Sequence, residues 1–217
     1  MTQHTLWLLR FTYKQLKEKL TVSDSKKLFH EQFPYVIPGL YKRIVDEMLV
    51  ELNLLNHQNE FIQDDLFCVG LTETFRELTT GYKPADHLTL LFKSICNSSN
   101  FEPSKIKEIS EKTLEKYKEK SLKEISFLLK EKSASKLYAS RILNLGIYLI
   151  IANAKDFNRV KDSEKNKAIS DIIKNLNLSV NKAEKDIGIY KSGLKRMEQA
   201  KELLEEARLQ NMKKEKK

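Results

Sequence analysis

Apolar residues recur every three or four positions through most of this chain, the spacing of one helix face, and strand-like alternation is hard to find. The first such segment carries Leu28, Phe29 and Phe33 behind the capping sequence Val22-Ser23-Asp24, and Pro34 ends it. Pro38 then sits where a first helical turn tolerates it, because that N–H has no intrahelical partner anyway. Behind it runs a broad stripe: Leu40, Tyr41, Ile44, Val45, Met48, Leu49, Leu52 and Leu55. Asp64-Asp65 open a third helix by placing negative charge at the positive end of its dipole, and Gly81 closes it.

Downstream, Pro84 starts a helix holding Leu88, Leu91, Phe92 and Ile95, and Asn97-Ser98-Ser99-Asn100 forms a polar loop. Pro103 begins one long helix from Ile106 to Leu128-Leu129, supported by the Glu108–Lys112 and Glu119–Lys123 pairs. Ser133 caps a very apolar helix that runs through Ile150. The run Ile142 to Ala154 is too short for a bilayer, so it reads as the buried centre of a bundle. Ser163 caps the next helix, with Ile169, Ile172, Ile173 and Leu176.

The last segment has a heptad seam of Val180, Ala183, Ile187, Tyr190, Leu194 and Met197, which Lys201 interrupts. A short coiled coil and a helix docked on its own bundle explain that seam equally well. Together these elements predict an all-α helical bundle with a C-terminal long helix or short coiled coil. Residues 1–20 form an N-terminal extension, either an amphipathic helix dipping Trp7 and Phe11 into a membrane surface or a loosely tied segment, the plainer of the two. The bundle covers 21–178, the C-terminal helix 179–212, and a disordered basic tail 213–217.

Composition supports helix: 217 residues hold six Gly and four Pro, too few for the turns of a sandwich or barrel. A net charge of +9 fits nucleic acid, an anionic membrane or an acidic partner, or simply a Lys-rich solvated surface. Lys and Glu interleave along most of the chain, which favours the solvated surface. Cys68 and Cys96 lie in apolar helical contexts without metal-ligand spacing; they read as two buried free thiols of a reducing compartment, with a disulfide between them as the alternative.

Chemistry-bearing motifs are sparse. Asp64, Asp65, Glu60 and His57 invite a metal or acid–base reading, but helix capping already accounts for the two aspartates. Asp86-His87 is a weaker echo of the same kind. No serine elbow, phosphate-binding loop, dinucleotide fingerprint or HExxH is present, so the expectation is a protein that is not an enzyme, with neither metal nor cofactor. On the second helix, Arg43 and Glu47 stand at ion-pair spacing. Tyr41, Arg43, Asp46 and Glu47 form either local pairs or a polar docking face.

One block adds a resemblance. Thr21-Val22-Ser23-Asp24 with Lys26 and Phe29, then Tyr41-Lys42-Arg43-Ile44-Val45-Asp46-Glu47-Met48-Leu49-Val50-Glu51, continue through Leu54-Leu55, Phe61, Asp65, Phe67, Val69-Gly70, Thr74-Phe75 and Gly81-Tyr82. This order resembles the thylakoid formation proteins, the photosystem II biogenesis proteins of cyanobacteria and plastids. The resemblance implies a non-enzymatic accessory role in thylakoid biogenesis and photosystem II assembly and repair. It also implies association with FtsH-type membrane proteases and a peripheral position on the thylakoid or another anionic membrane. No transit peptide is evident, which points to the cyanobacterial type, made where it works. The competing class is a basic helical nucleic-acid-binding protein, disfavoured because Lys far exceeds Arg and is interspersed with Glu.

Overall fold

Helix boundaries follow where backbone donors find side-chain partners. The computed structural model describes residues 19–134 and 137–215, so the expectations placed on residues 1–18 and 216–217 lie outside the described residues. Among the described residues the α-helices are α1 Val22–Gln32, α2 Gly39–Asn56, α3 Asp65–Leu78, α4 His87–Ser98, α5 Pro103–Tyr117, α6 Leu122–Lys130, α7 Arg141–Ala152, α8 Asp162–Asn175 and α9 Val180–Glu215. Short 3-10 turns occupy Glu131–Ala134 and Phe157–Arg159, and no strand is found among these residues. The all-α expectation is correct.

Several predicted ends move for identifiable reasons. The cap of α1 is Thr21, not the residues after it: its hydroxyl accepts from Asp24 N–H at 3.2 Å while Asp24 accepts from Thr21 N–H at 3.0 Å. That reciprocal box satisfies two orphan donors at once. The long helix expected from Pro103 breaks in two. Ser121 and Glu124 form a second capping box, with Ser121 N–H donating to Glu124 at 2.7 Å, and Glu119 takes a left-handed φ of 57°. Glu119 therefore cannot pair with Lys123 along one helix, whereas Lys112 does reach Glu108 at 2.6 Å. Ser140, not Ser133, caps α7, accepting from Leu143 N–H at 3.1 Å. Lys161 stands at the cap of α8, with Ser163 already inside the helix. Pro84 precedes α4 by a short turn, and α3 ends at Leu78 ahead of Gly81, whose φ of 82° is the left-handed conformation anticipated.

Two cores share one spine. An aromatic-rich core gathers Phe29, Phe33, Tyr41, Phe67, Phe75, Phe92 and Phe101 from α1–α4 and the turn before α5. An aliphatic core gathers Ile125, Leu129, Leu143, Ile147, Ile172 and Ile187 from α6–α9. Helix α3 feeds both, with Phe67 and Leu71 on one side and Leu66 and Val69 on the other. It lies most extensively against α7, so the expected central helix has a partner just as buried. At their crossing Gly70 faces Gly146. A Cβ on Gly70 would stand 1.9 Å from the Ile142 carbonyl oxygen, and one on Gly146 1.9 Å from that of Leu66. The two backbones touch where any side chain would part them.

Helix α9 has 36 residues, about 54 Å at 1.5 Å per residue. Its first half lies on the bundle: Ala183, Ile187 and Tyr190 enter the aliphatic core and Met197 the aromatic one, with Val180 and Leu194 packed partly buried. The heptad seam thus packs at home. Beyond it, Leu203 and Leu204 are 66% and 61% exposed, and the helical backbone continues past residue 212 to Glu215.

Gly70→Ala or Gly146→Ala should lower stability by about 3 kcal/mol in urea unfolding, because overpacking against backbone outweighs the ~1 kcal/mol gain in helix propensity. A neutral result would mean that the crossing is looser than the contact distances indicate. Burial pushes both the Cys68 and Cys96 thiols up to about 12, from 9.0. Between those values the folded chain holds more protons than the unfolded one, so the thiols' stabilising contribution is lost as pH rises from about 9 towards 12. At pH 8 both should resist a disulfide-exchange reagent until denaturant is added. Rapid labelling of the folded protein would contradict this.

Candidate functional site

The four polar residues anticipated on α2 do not form one face. Tyr41 is 4% exposed; its ring packs 5.0 Å from that of Tyr82 and its hydroxyl donates to the Thr80 carbonyl at 3.3 Å. Burial raises its phenol above the ordinary range. Asp46 turns towards α1 and pairs with Lys26 at 2.9 Å. Arg43 and Glu47, four residues apart and 2.8 Å from each other, point together into a different region. The helical repeat explains the split: positions 43 and 47 share a face, 46 lies about 100° from 47, and 41 is on the core side.

The region Arg43 and Glu47 reach is a cleft of about 210 Å³ walled by α2, α3, α7 and α9. Leu40, Ile44, Leu78, Leu145, Ile189 and Met197 make its surface mainly apolar. Gly193 contributes no side chain, and a Cβ there would meet nothing closer than Leu78 at 4.0 Å. The cleft therefore exists partly because α9 carries a glycine beside the seam, where a larger residue would fill it.

Charges are arranged along the cleft rather than scattered. Arg141, the first residue of α7, pairs with Glu51 at 2.9 Å and lies 3.7 Å from Glu47. Burial holds the Glu51 carboxyl above its ordinary value, and the Arg141 guanidinium opposes that rise. Asp186, 9% exposed, accepts from the Asn144 side-chain amide at 2.8 Å and repels Glu51. Further along α9, Tyr190 donates to Glu77, and burial, followed by this bond, raises its phenol. Arg76 braces the same region through Glu73 at 2.5 Å and Glu77 at 3.6 Å.

The acidic residues near the start of α3 stay apart in function. Asp64 caps α3 by accepting from Phe67 N–H at 2.8 Å, with its carboxyl raised by burial, and Asp65 pairs with Lys132. The His57 ring stands 2.8 Å from the Leu20 carbonyl, and His87 stacks on Tyr35 at 3.9 Å. No group of three His, Cys, Asp or Glu among the described residues is placed to hold a metal ion. Sequence reasoning overlooked Arg141, Asn144 and Asp186 as site residues. Their signal was a polar residue on an otherwise apolar helix face, Asn144 within the most apolar run and Asp186 beside the seam.

This geometry defines an all-α bundle protein whose long terminal helix closes one side of an interhelical cleft. The chain belongs to the thylakoid formation protein family, whose model matches residues 21–217. It is 80% identical over 202 residues to Protein Thf1 of Prochlorococcus marinus subsp. pastoris, covering 93% of this chain and 100% of that protein. Protein Thf1 of Prochlorococcus marinus strain MIT 9312 is 69% identical, over 92% of this chain and 99% of its own length. The solved structure of Psb29 superposes with a TM-score of 0.79 at 25% identity, covering 91% of this chain and all of that one.

Arg141→Met should cost about 2 kcal/mol, since it strips the partner from a mostly buried carboxylate. In that variant Glu51 stays above its ordinary value without opposition, so the stability deficit relative to the parent chain should shrink as pH falls through the acid range. Adding Glu51→Gln should recover most of the loss, and thermal melts across pH 4 to 8 would show both effects.

Proposed function

We propose that this chain is a peripheral, non-enzymatic accessory protein of the photosynthetic membrane. It serves thylakoid biogenesis and photosystem II assembly and repair by associating with an FtsH-type membrane protease. The observation that carries this reading is the family match over residues 21–217, which takes in the whole bundle and its terminal helix. Three physical features support it. No helix among the described residues is long and apolar enough to cross a membrane, so attachment would be by surface contact. The net charge of +9 favours an anionic lipid surface or an acidic partner. A bundle braced by backbone contact between α3 and α7 presents surface features in fixed relative positions, as docking requires.

Deleting the gene should lower the level of the membrane protease and slow photosystem II recovery after strong light, with both restored by the intact chain. Normal protease levels and recovery in the deletion strain would reject the proposal. Membrane-bound protein should be released as salt is raised from low to about 0.5 M, because exposed charges more than a few ångströms apart are then screened. Retention through that wash would instead favour apolar anchoring. Retardation of DNA or RNA in a gel shift near physiological salt would support the nucleic-acid class in its place.

A further inference from the structure

The cleft between α2, α3, α7 and α9 has a direction. Tyr41, near the start of α2, and Lys201, late in α9, both lie against Gly81, while Glu51, late in α2, interacts with Asp186, early in α9. The two helices thus run antiparallel along the cleft. Its basic end is formed by Arg43 and Arg196, and its other end by Asp186 with the Arg141–Glu51 pair. Along α9 Asp186 and Arg196 are ten positions apart, about 15 Å.

The groups that line this space differ in how far their bonding is met. Arg43 and Arg141 have carboxylates in Glu47 and Glu51. Arg196 is exposed and hydrogen-bonds only the Ser192 carbonyl, at 3.2 Å, with no carboxylate within ion-pair distance among the described residues. On the wall, Thr74 is 6% exposed and its hydroxyl has no hydrogen-bond partner. A buried hydroxyl without a partner is costly in a helix packed this closely. Between these polar points the surface is apolar, and about 210 Å³ suits one or two side chains better than a cofactor.

We infer that this cleft is a receptor for a segment of a partner protein in which an apolar anchor is followed by a carboxylate. The anchor enters between Ile44, Leu145 and Ile189, and the carboxylate meets Arg196 and Arg43. Asp186 disfavours the reverse orientation, since it would set the carboxylate against a buried negative charge. The inference rests on the reading of this chain as a docking protein and names the site and the chemistry it selects.

The test uses three fluorescein-labelled dodecapeptides with the same Leu-Phe centre, followed by Glu, Lys or Ser, titrated against the full chain by anisotropy. The Glu peptide should bind about tenfold or more tightly than the Lys peptide, with the advantage shrinking as salt rises. Gly193→Leu fills the cleft and should weaken the Glu peptide by about tenfold or more. Arg196→Glu, a surface change that leaves the fold intact, should invert the order of the Glu and Lys peptides. No binding by any peptide, no preference for Glu, or binding indifferent to both substitutions overturns the inference. If the peptides behave as expected while a deletion strain repairs photosystem II normally, the cleft stands and the proposed function falls. If the deletion strain is impaired but the peptides ignore the cleft, the reverse holds.

Discussion

The backbone contact between Gly70 and Gly146 is the constraint on which the rest of this molecule depends. Helices usually pack with side chains interposed, and their separation is set by those side chains. Here the closest atoms across the α3–α7 crossing are carbonyl oxygens and amides, with room for hydrogen only. The close approach lets two nearly fully buried helices share one spine, so that side chains on either side of α3 reach separate cores. Phe67 and Phe75 gather the aromatic half, and Leu66 and Val69 the aliphatic half. A wider crossing would leave a void along both cores, and interiors packed at crystal-like density do not tolerate that cheaply.

Helix α9 completes the structure by covering what the spine leaves open. Its seam supplies apolar side chains to both cores, and it also brings polar groups to polar side chains of the bundle. Asp186 answers Asn144, and Tyr190 answers Glu77. Such contacts fix the register of α9 on the bundle, because sliding it by one turn would leave Asp186 buried without Asn144 and part the Tyr190 hydroxyl from Glu77. The cleft is a consequence of the same docking. Where Gly193 passes over Leu78 there is no side chain to close the gap.

Much of this was legible in the chain itself. The stripe on α2 from Tyr41 to Leu55, the capping role of Asp64 and the left-handed Gly81 need only nearest-neighbour physics, and the structure shows each of them. The failures are equally local in origin. Ser121 and Glu124 spell a capping box as plainly as Thr21 and Asp24 do, yet the apolar spacing runs on through them and suggested one helix instead of α5 and α6. Periodicity alone does not register a break when both halves bury the same side. The grouping of Tyr41, Arg43, Asp46 and Glu47 failed for a different reason: neighbours in sequence point around the whole circumference of a helix.

What the sequence by itself determined is the helical class, the family, and the apolar face each helix must bury. Those properties follow from residue spacing, and from side chains acting on backbone three or four positions away. What only the tertiary structure decided is which faces meet. Gly70 and Gly146 are 76 residues apart, and Arg141 is 90 from Glu51, so nothing local marks either pair. The direction of the cleft likewise arises from laying α9 antiparallel to α2, which brings Arg196 to Arg43 and Asp186 to Glu51. Long-range pairings of this kind are chosen by the packing of the whole bundle, because each is worth having only when the others are already in place.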